Sequence, residues 1–249
     1  MRALSAAELL YTWEWGQTRH SQERALGLLA AHMPGQAPEM LRNLSIGSRD
    51  TWLLELRAQT FGPQLECQLD CPACQNRLEF DFQTDRLLAP LVTAEAQPDE
   101  IEFDGWRIRF RLPISEDLLG LEQQLDLAAR RRALLQGCIL ASTPPVNAEV
   151  PGPPGSNLPA HVIEALSAEM QRRDAAANLN FALTCPACGH SWTAPFDIVS
   201  FFWEEITAWA MRTLREVHSI ASVYGWREPD ILALTALRRQ LYVEMADGG

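Results

Sequence analysis

Lysine is missing from this chain; all 21 basic residues are arginine. That excludes a phosphate-loop lysine, a Schiff-base lysine and a Ser–Lys dyad. Histidine is scarce, at five in 249 residues. His20, His32, His161 and His218 have no companion carboxylate or Cys at useful spacing. Gly-x-Ser-x-Gly, His-Glu-x-x-His and a Gly-rich phosphate loop are all absent. The paired carboxylates Glu204-Glu205 and Asp99-Glu100 are only adjacent in sequence and need not converge, so no active site can be read. There is no long apolar run either. The most hydrophobic stretch, Ile198 to Met211, is broken by Glu204 and Glu205 and is too short to span a bilayer. Met1 and Arg2 lead into Ser5, Glu8 and Glu14 without an apolar segment, so no signal peptide is expected.

No part of the chain is basic, and the net charge is −11. Such a surface repels phosphate backbones and anionic lipid, so neither nucleic acid nor membrane is expected as a partner. Apolar residues make up 47%, enough to bury a core. A soluble protein of a reducing cytoplasm is expected, where thiols bind metal rather than pair.

The first 64 residues read as a helical layer. Ser5 and Glu8 have the capping-box form ahead of a helix running to Gly16. Ser21 is expected to cap a second helix, Pro38 opens a short third one, and Ser48 starts a fourth that Gly62-Pro63 ends. The period then changes to two. Leu65, Cys67, Leu69 and Cys71 alternate with polar residues, as do Leu78, Phe80 and Phe82. Asp104-Gly105 between Ile101/Phe103 and Trp106/Ile108/Phe110 predicts a tight hairpin. Arg107, Arg109 and Arg111 would share its outer face opposite Glu100 and Glu102. Residues 113–177 read as a helical insertion, with one helix from Glu116 to about Leu140 carrying Arg130, Arg131, Arg132 and a packed Cys138. A Pro-rich loop follows over 142–159, then a helix from Ala160 to about Asp174. Residues 197–249 are helical again. Asp197 precedes a long helix to Tyr224 with Phe202, Ile206, Trp209, Val217 and Ile220 buried; Pro229 and Thr235 begin two more.

Two copies of Cys-Pro-Ala-Cys carry the chemistry: Cys71-Pro72-Ala73-Cys74 and Cys185-Pro186-Ala187-Cys188. Each turn places two sulfurs on one side of a tight loop, as a tetrahedral Zn²⁺ requires. Gly189 supplies the left-handed residue after the second turn; the first has Gln75 there, so Asn76 is expected to take the unusual angles. The flanks repeat at an offset of 114, with Leu65, Leu69, Leu78 and Phe82 falling on Leu179, Leu183, Trp192 and Phe196. Two strand–knuckle–strand units, spanning 65–112 (with the hairpin) and 178–196, therefore predict a split zinc ribbon. The fold class is α+β, a single domain over 1–249 with helical N- and C-terminal layers.

The metal ligands are Cys71, Cys74, Cys185 and Cys188 around one structural zinc. Four thiolates close the shell, which speaks against catalysis at the metal and leaves His190 over. A thiol oxidoreductase is the rival reading of Cys-Pro-x-Cys, but a helix should then follow each pair, and Leu78 to Phe82 and Pro195 argue otherwise. Unliganded core thiols are the bland reading. Cys67 reads as a core-facing strand residue.

Several further runs resemble baseplate-associated proteins of phage-like contractile injection systems. These are Leu44-Ser45-Ile46-Gly47 through Arg49-Asp50, Leu53-Leu54, Leu56-Arg57 and Thr60-Phe61-Gly62, with the first Cys pair. Phe110-Arg111-Leu112-Pro113, the run Cys185 to His190, Phe196-Asp197-Ile198, Tyr224-Gly225-Trp226-Arg227-Glu228, Asp230-Ile231-Leu232 and Arg238-Arg239 also fit. The closest likeness is to the family of T4-type baseplate hub assembly chaperones. It implies a non-enzymatic role in assembling or joining a baseplate hub, with hub or baseplate proteins as partners. Tyr224, Trp226 and Tyr242 then become candidate interface anchors, or core. A zinc-ribbon module that binds nucleic acid through Arg107, Arg109, Arg111 and Arg130 to Arg132 is the alternative.

Overall fold

The structure, a computed structural model, describes residues 3–88, 100–119, 121, 126–145, 155 and 158–247. Asp99 and most of the Pro-rich stretch lie outside these residues. Helices and small antiparallel sheets are mixed along the chain, as an α+β protein requires. The chain divides into two compact units, one formed by Met1–Gln36 with Ile198–Gly249, the other by Ala37–Asp197.

The first unit is helical. α1 (Ala6–Gly16) begins with the full capping box, the Ser5 hydroxyl accepting from the Glu8 amide while Glu8 returns to the Ser5 amide. α2 (Ser21–His32) starts one residue earlier than expected: His20 is the cap and Ser21 the first helical residue, with the Glu23 carboxylate accepting from the His20 amide. Both helices pack on α9 (Ile198–Tyr224), and Leu9, Leu10, Leu28, Leu29, Phe202 and Ile206 are buried in this unit. Gly16 is needed at the crossing, because a Cβ there would lie 2.2 Å from the Trp203 ring. Trp203 is accordingly buried, whereas Trp209 is only half-buried, which corrects the expected face by a fraction of a turn. Gly225, at φ 66°, ends α9. α10 (Glu228–Leu232) and α11 (Ala236–Asp247) follow, the latter opened by the Thr235 hydroxyl accepting from the Arg238 amide.

In the second unit α3 (Pro38–Arg42) precedes α4 (Ile46–Phe61). Ser45, not Ser48, caps α4, its hydroxyl accepting from the Ser48 amide. β1 (Gln64–Asp70) pairs with β2 (Arg77–Gln83), and β6 (Asn180–Thr184) with β7 (Ser191–Pro195). The short α5 (Thr84–Leu88) closes the first hairpin. The Asp104–Gly105 hairpin forms as expected between β3 (Glu100–Phe103) and β4 (Trp106–Phe110), with both turn residues at positive φ.

The helix expected from Glu116 to Leu140 is instead α6 (Ser115–Leu119), α7 (Leu127–Cys138) and a strand, β5 (Ile139–Thr143). β5 pairs with β4 and makes the hairpin a three-stranded sheet. The run Ile139 to Thr143 has β-branched residues only at its two ends, and it is pairing that decides its state: it covers an otherwise open edge of β4. Trp106, Ile108 and Phe110 of β4 form the core here with Leu135, Cys138 and the inner face of α8 (Ala160–Arg173). Burial pushes the Cys138 thiol up to about 11, as suits a packing residue.

Candidate metal centre

Each Cys-Pro-Ala-Cys turn sits at the tip of a two-stranded hairpin, and the two tips have the same backbone bonding. The Cys71 amide donates to the Asn76 carbonyl and the Gln75 amide to Cys71, both at 2.9 Å. In the second turn Cys185 donates to His190 and Gly189 to Cys185, again at 2.9 Å. The sequence offset is thus a structural repeat: Leu69 faces Leu78 as Leu183 faces Trp192. Gln75 itself takes the left-handed conformation at φ 59°, matching Gly189 at 73°, so the unusual residue is not Asn76. Leu69, expected on the core side, is exposed, while Cys67 is buried as expected.

The turns meet. The four sulfurs of Cys71, Cys74, Cys185 and Cys188 all lie within 4.8 Å of one another. Between the knuckles Cys71 Sγ is 3.8 Å from Cys188 Sγ, and Cys74 Sγ is 3.7 Å from Cys185 Sγ. A tetrahedral zinc with bonds of about 2.3 Å has sulfur–sulfur edges of roughly 3.8 Å. The donor set therefore fits a four-coordinate metal ion in type, number and spacing. Cys71 and Cys185 are buried beside Leu78 and Trp192, whereas Cys74 and Cys188 face outward. Burial raises the Cys185 thiol, but the Cys188 and Ala187 amides donate to its sulfur and neighbouring sulfurs assist, bringing it down to about 7. An adjacent amide also lowers Cys74, yet the three sulfurs around it push it up to about 12. Strands, not helices, follow both pairs. His190 is not in the cluster; its ring stacks on Trp192 with centroids 5.9 Å apart.

Behind the knuckles the hairpins share an aromatic layer. Phe181 lies 5.7 Å from Phe80 and 4.5 Å from Phe82, and Phe196 lies 5.7 Å from Phe82. Such ring pairs contribute beyond the area they bury.

A buried polar cluster at the N-terminus of α4 was not legible from sequence. Asp174 accepts from the Gly47 amide and the Ser45 hydroxyl, each at 3.0 Å. Arg49, 2% exposed, binds Asp50 at 2.8 Å and the Ser115 hydroxyl at 3.0 Å. The available signals were a Gly just inside a helix start and an Arg-Asp pair on an apolar face. His161 also has a companion after all, Asp104 at 2.8 Å across an exposed surface. Arg111 lies beyond β4 and is held by Asp117 at 2.6 Å, rather than facing Glu100 and Glu102, while Arg107 does bind Glu102.

Burial lifts the Asp50 carboxyl to about 6 despite the opposing Arg49 guanidinium, from an ordinary 3.8. A carboxyl raised in the folded state favours folding most when protonated, so its contribution declines as pH rises from about 4 through about 6. Wild type should therefore lose on the order of 3 kcal/mol of stability relative to Asp50→Asn across that window. Denaturant unfolding of both proteins from pH 4 to 7.5 measures this, and parallel pH profiles would contradict it.

Among the described residues no helix is long and apolar enough to cross a membrane. The family described as T4 bacteriophage base plate protein matches residues 8–140. This span takes in Cys71 and Cys74 and ends before Cys185 and Cys188 and the C-terminal motifs. No curated protein matches the chain, and no solved structure does.

Proposed function

The chain belongs to the T4 bacteriophage base plate protein family, and on that premise we propose that it is a non-enzymatic assembly factor or structural adaptor. It acts in the cytoplasm through protein–protein contacts with hub or other base plate proteins of a contractile, phage-tail-like machine. One structural zinc held by Cys71, Cys74, Cys185 and Cys188 clamps its second unit.

The observation that carries this reading is the convergence of four sulfurs, two from each side of a long insertion, at tetrahedral spacing. Such a shell, once filled, has no position left for a substrate. The metal then supplies cross-linking rather than reactivity, which suits a docking body. The docking side is the C-terminal helices. On α11, Leu237, Leu241 and Met245 recur at helical spacing and are 68%, 43% and 61% exposed. Tyr224, Trp226 and Tyr242 pack on one another nearby, with centroids 5.0–5.7 Å apart, and Trp226 keeps an exposed edge. Against a nucleic-acid role, Arg107 and Arg111 are already engaged by Glu102 and Asp117.

Co-purification of the chain with assembling tail particles, with metal measured in the same fraction, tests the proposal. About one zinc per chain is expected. Complete particles built with a metal-free chain would overturn the clamp. Salt-sensitive DNA or RNA binding without particle association would favour the nucleic-acid reading instead.

A further inference from the structure

Half of the proposed zinc site arrives with β1 and half with β6, and both are mounted on α4. At the C-terminal end of that helix, buried Arg57 donates to the carbonyls of Gly62 and Gln64, each at 2.7 Å, fixing the entry to β1. At the N-terminal end the Asp174 carboxylate receives the Gly47 amide and the Ser45 hydroxyl. Asp174 ends α8 and opens the 3-10 turn Ala175–Asn178, which packs along α4 and runs directly into β6. Gly47 leaves no room to spare: a Cβ would lie 2.2 Å from Asp174 Oδ1 and 2.8 Å from the Ala177 amide. The carboxylate accepts one orphan amide, that of Gly47, in the first turn of a sixteen-residue helix, where the helix dipole favours negative charge. Burial raises its pKa, and the Gly47 and Ser45 bonds oppose that only in part.

We propose that Asp174 is a positioning residue for the metal centre: by fastening the lead-in of β6 to the start of α4, it holds the Cys185–Cys188 knuckle in register with the Cys71–Cys74 knuckle before the ion binds. The proposal rests on reading the thiol cluster as a metal site. Asp174 touches no sulfur. Its effect is on preorganisation, since a displaced second knuckle must be drawn back at the expense of binding energy. Groups hydrogen-bonded directly to a metal's ligands govern about 10–100-fold of its affinity; Asp174 acts one step further out, through the backbone that leads into β6.

The test is a competition for Zn²⁺ between a chromophoric chelator and the full-length, reduced chain, well below its melting temperature. Wild type is compared with Asp174→Asn, Gly47→Ala and the double variant. Each single variant should bind zinc more weakly, by up to about the tenfold at which the effect of a group bonded directly to a ligand begins. All four thiols should remain titratable, with unchanged helical circular dichroism. The double variant should be little worse than either single one, because both break one contact. If Asp174→Asn does not fold, Ser45→Gly carries the comparison: it removes one of the two Asp174 bonds, and the hydroxyl cap on the Ser48 amide lost with it is largely offset by glycine's fitness for a helix cap. Unchanged zinc affinity in folded variants overturns the positioning role while leaving the metal site intact. Failure of wild type to bind zinc overturns the metal reading itself.

Discussion

Cys185→Ser should reduce the zinc content from about one per chain to none, and lower the melting temperature by about 10 °C or more. Cys185 is the buried member of its pair, 1% exposed, with its sulfur 3.7 Å from Cys74 across the knuckles. A serine hydroxyl there offers the ion no soft anionic donor, and three thiolates remain around a gap. Small zinc fingers gain about 10–16 kcal/mol from the metal and are unfolded without it. A smaller loss is expected here, because the Phe80, Phe82, Phe181 and Phe196 rings and the Asp174 contact hold the hairpins together without the ion. A loss of roughly 5 kcal/mol corresponds to about 10–20 °C in a chain of this size. Elemental analysis and thermal scans of matched reduced samples measure both effects. The same variant should retain the helical signal of α1, α2 and α9, whose contacts with one another involve no thiol. Full zinc content in the variant would show that Cys185 is not a ligand.

The four-thiol cluster was legible because its pattern is local and repeated. A Cys-Pro-Ala-Cys turn is dictated by four adjacent residues, and two copies with matching flanks point to a shared task. Helix starts were less legible, because neighbouring hydroxyls compete: Ser45 caps α4 rather than Ser48, and His20 precedes Ser21 at α2. The strand Ile139–Thr143 was hidden for a different reason. Helical periodicity through Leu134 and Leu135 runs straight into it, and only the open edge of β4, distant in sequence, decides the outcome. Asp174, Gly47, Arg49 and Asp50 illustrate the limit. Their chemistry exists only once α4, α6 and the turn after α8 have met, and nothing in the spacing of single charged residues announces which will be buried.

The second large effect should appear at the other unit. Leu241→Glu on α11 is expected to weaken association with the base plate partner about 30-fold or more, the loss of about 2 kcal/mol that marks an interface anchor. Its thermal stability should stay within about 0.5 kcal/mol of wild type, since substitution of exposed residues away from special features costs little. Leu241 stands between Leu237 and Met245 on one face of α11, and the three are among the exposed large apolar residues of the chain. Buried residues of the same unit, such as Ile231 and Ile220, should behave in the opposite way, because they sit in the core under Tyr224 and Tyr242. Ile231→Glu would destabilise the fold first and lose association only as a consequence. Pull-down of a base plate subunit by each variant, paired with melting curves, separates a surface that binds from a core that merely supports it. Undiminished association of a folded Leu241→Glu protein would move the docking face away from α11. It would leave the unit that carries the four-thiol cluster as the place to look, since the two units have no residue in common.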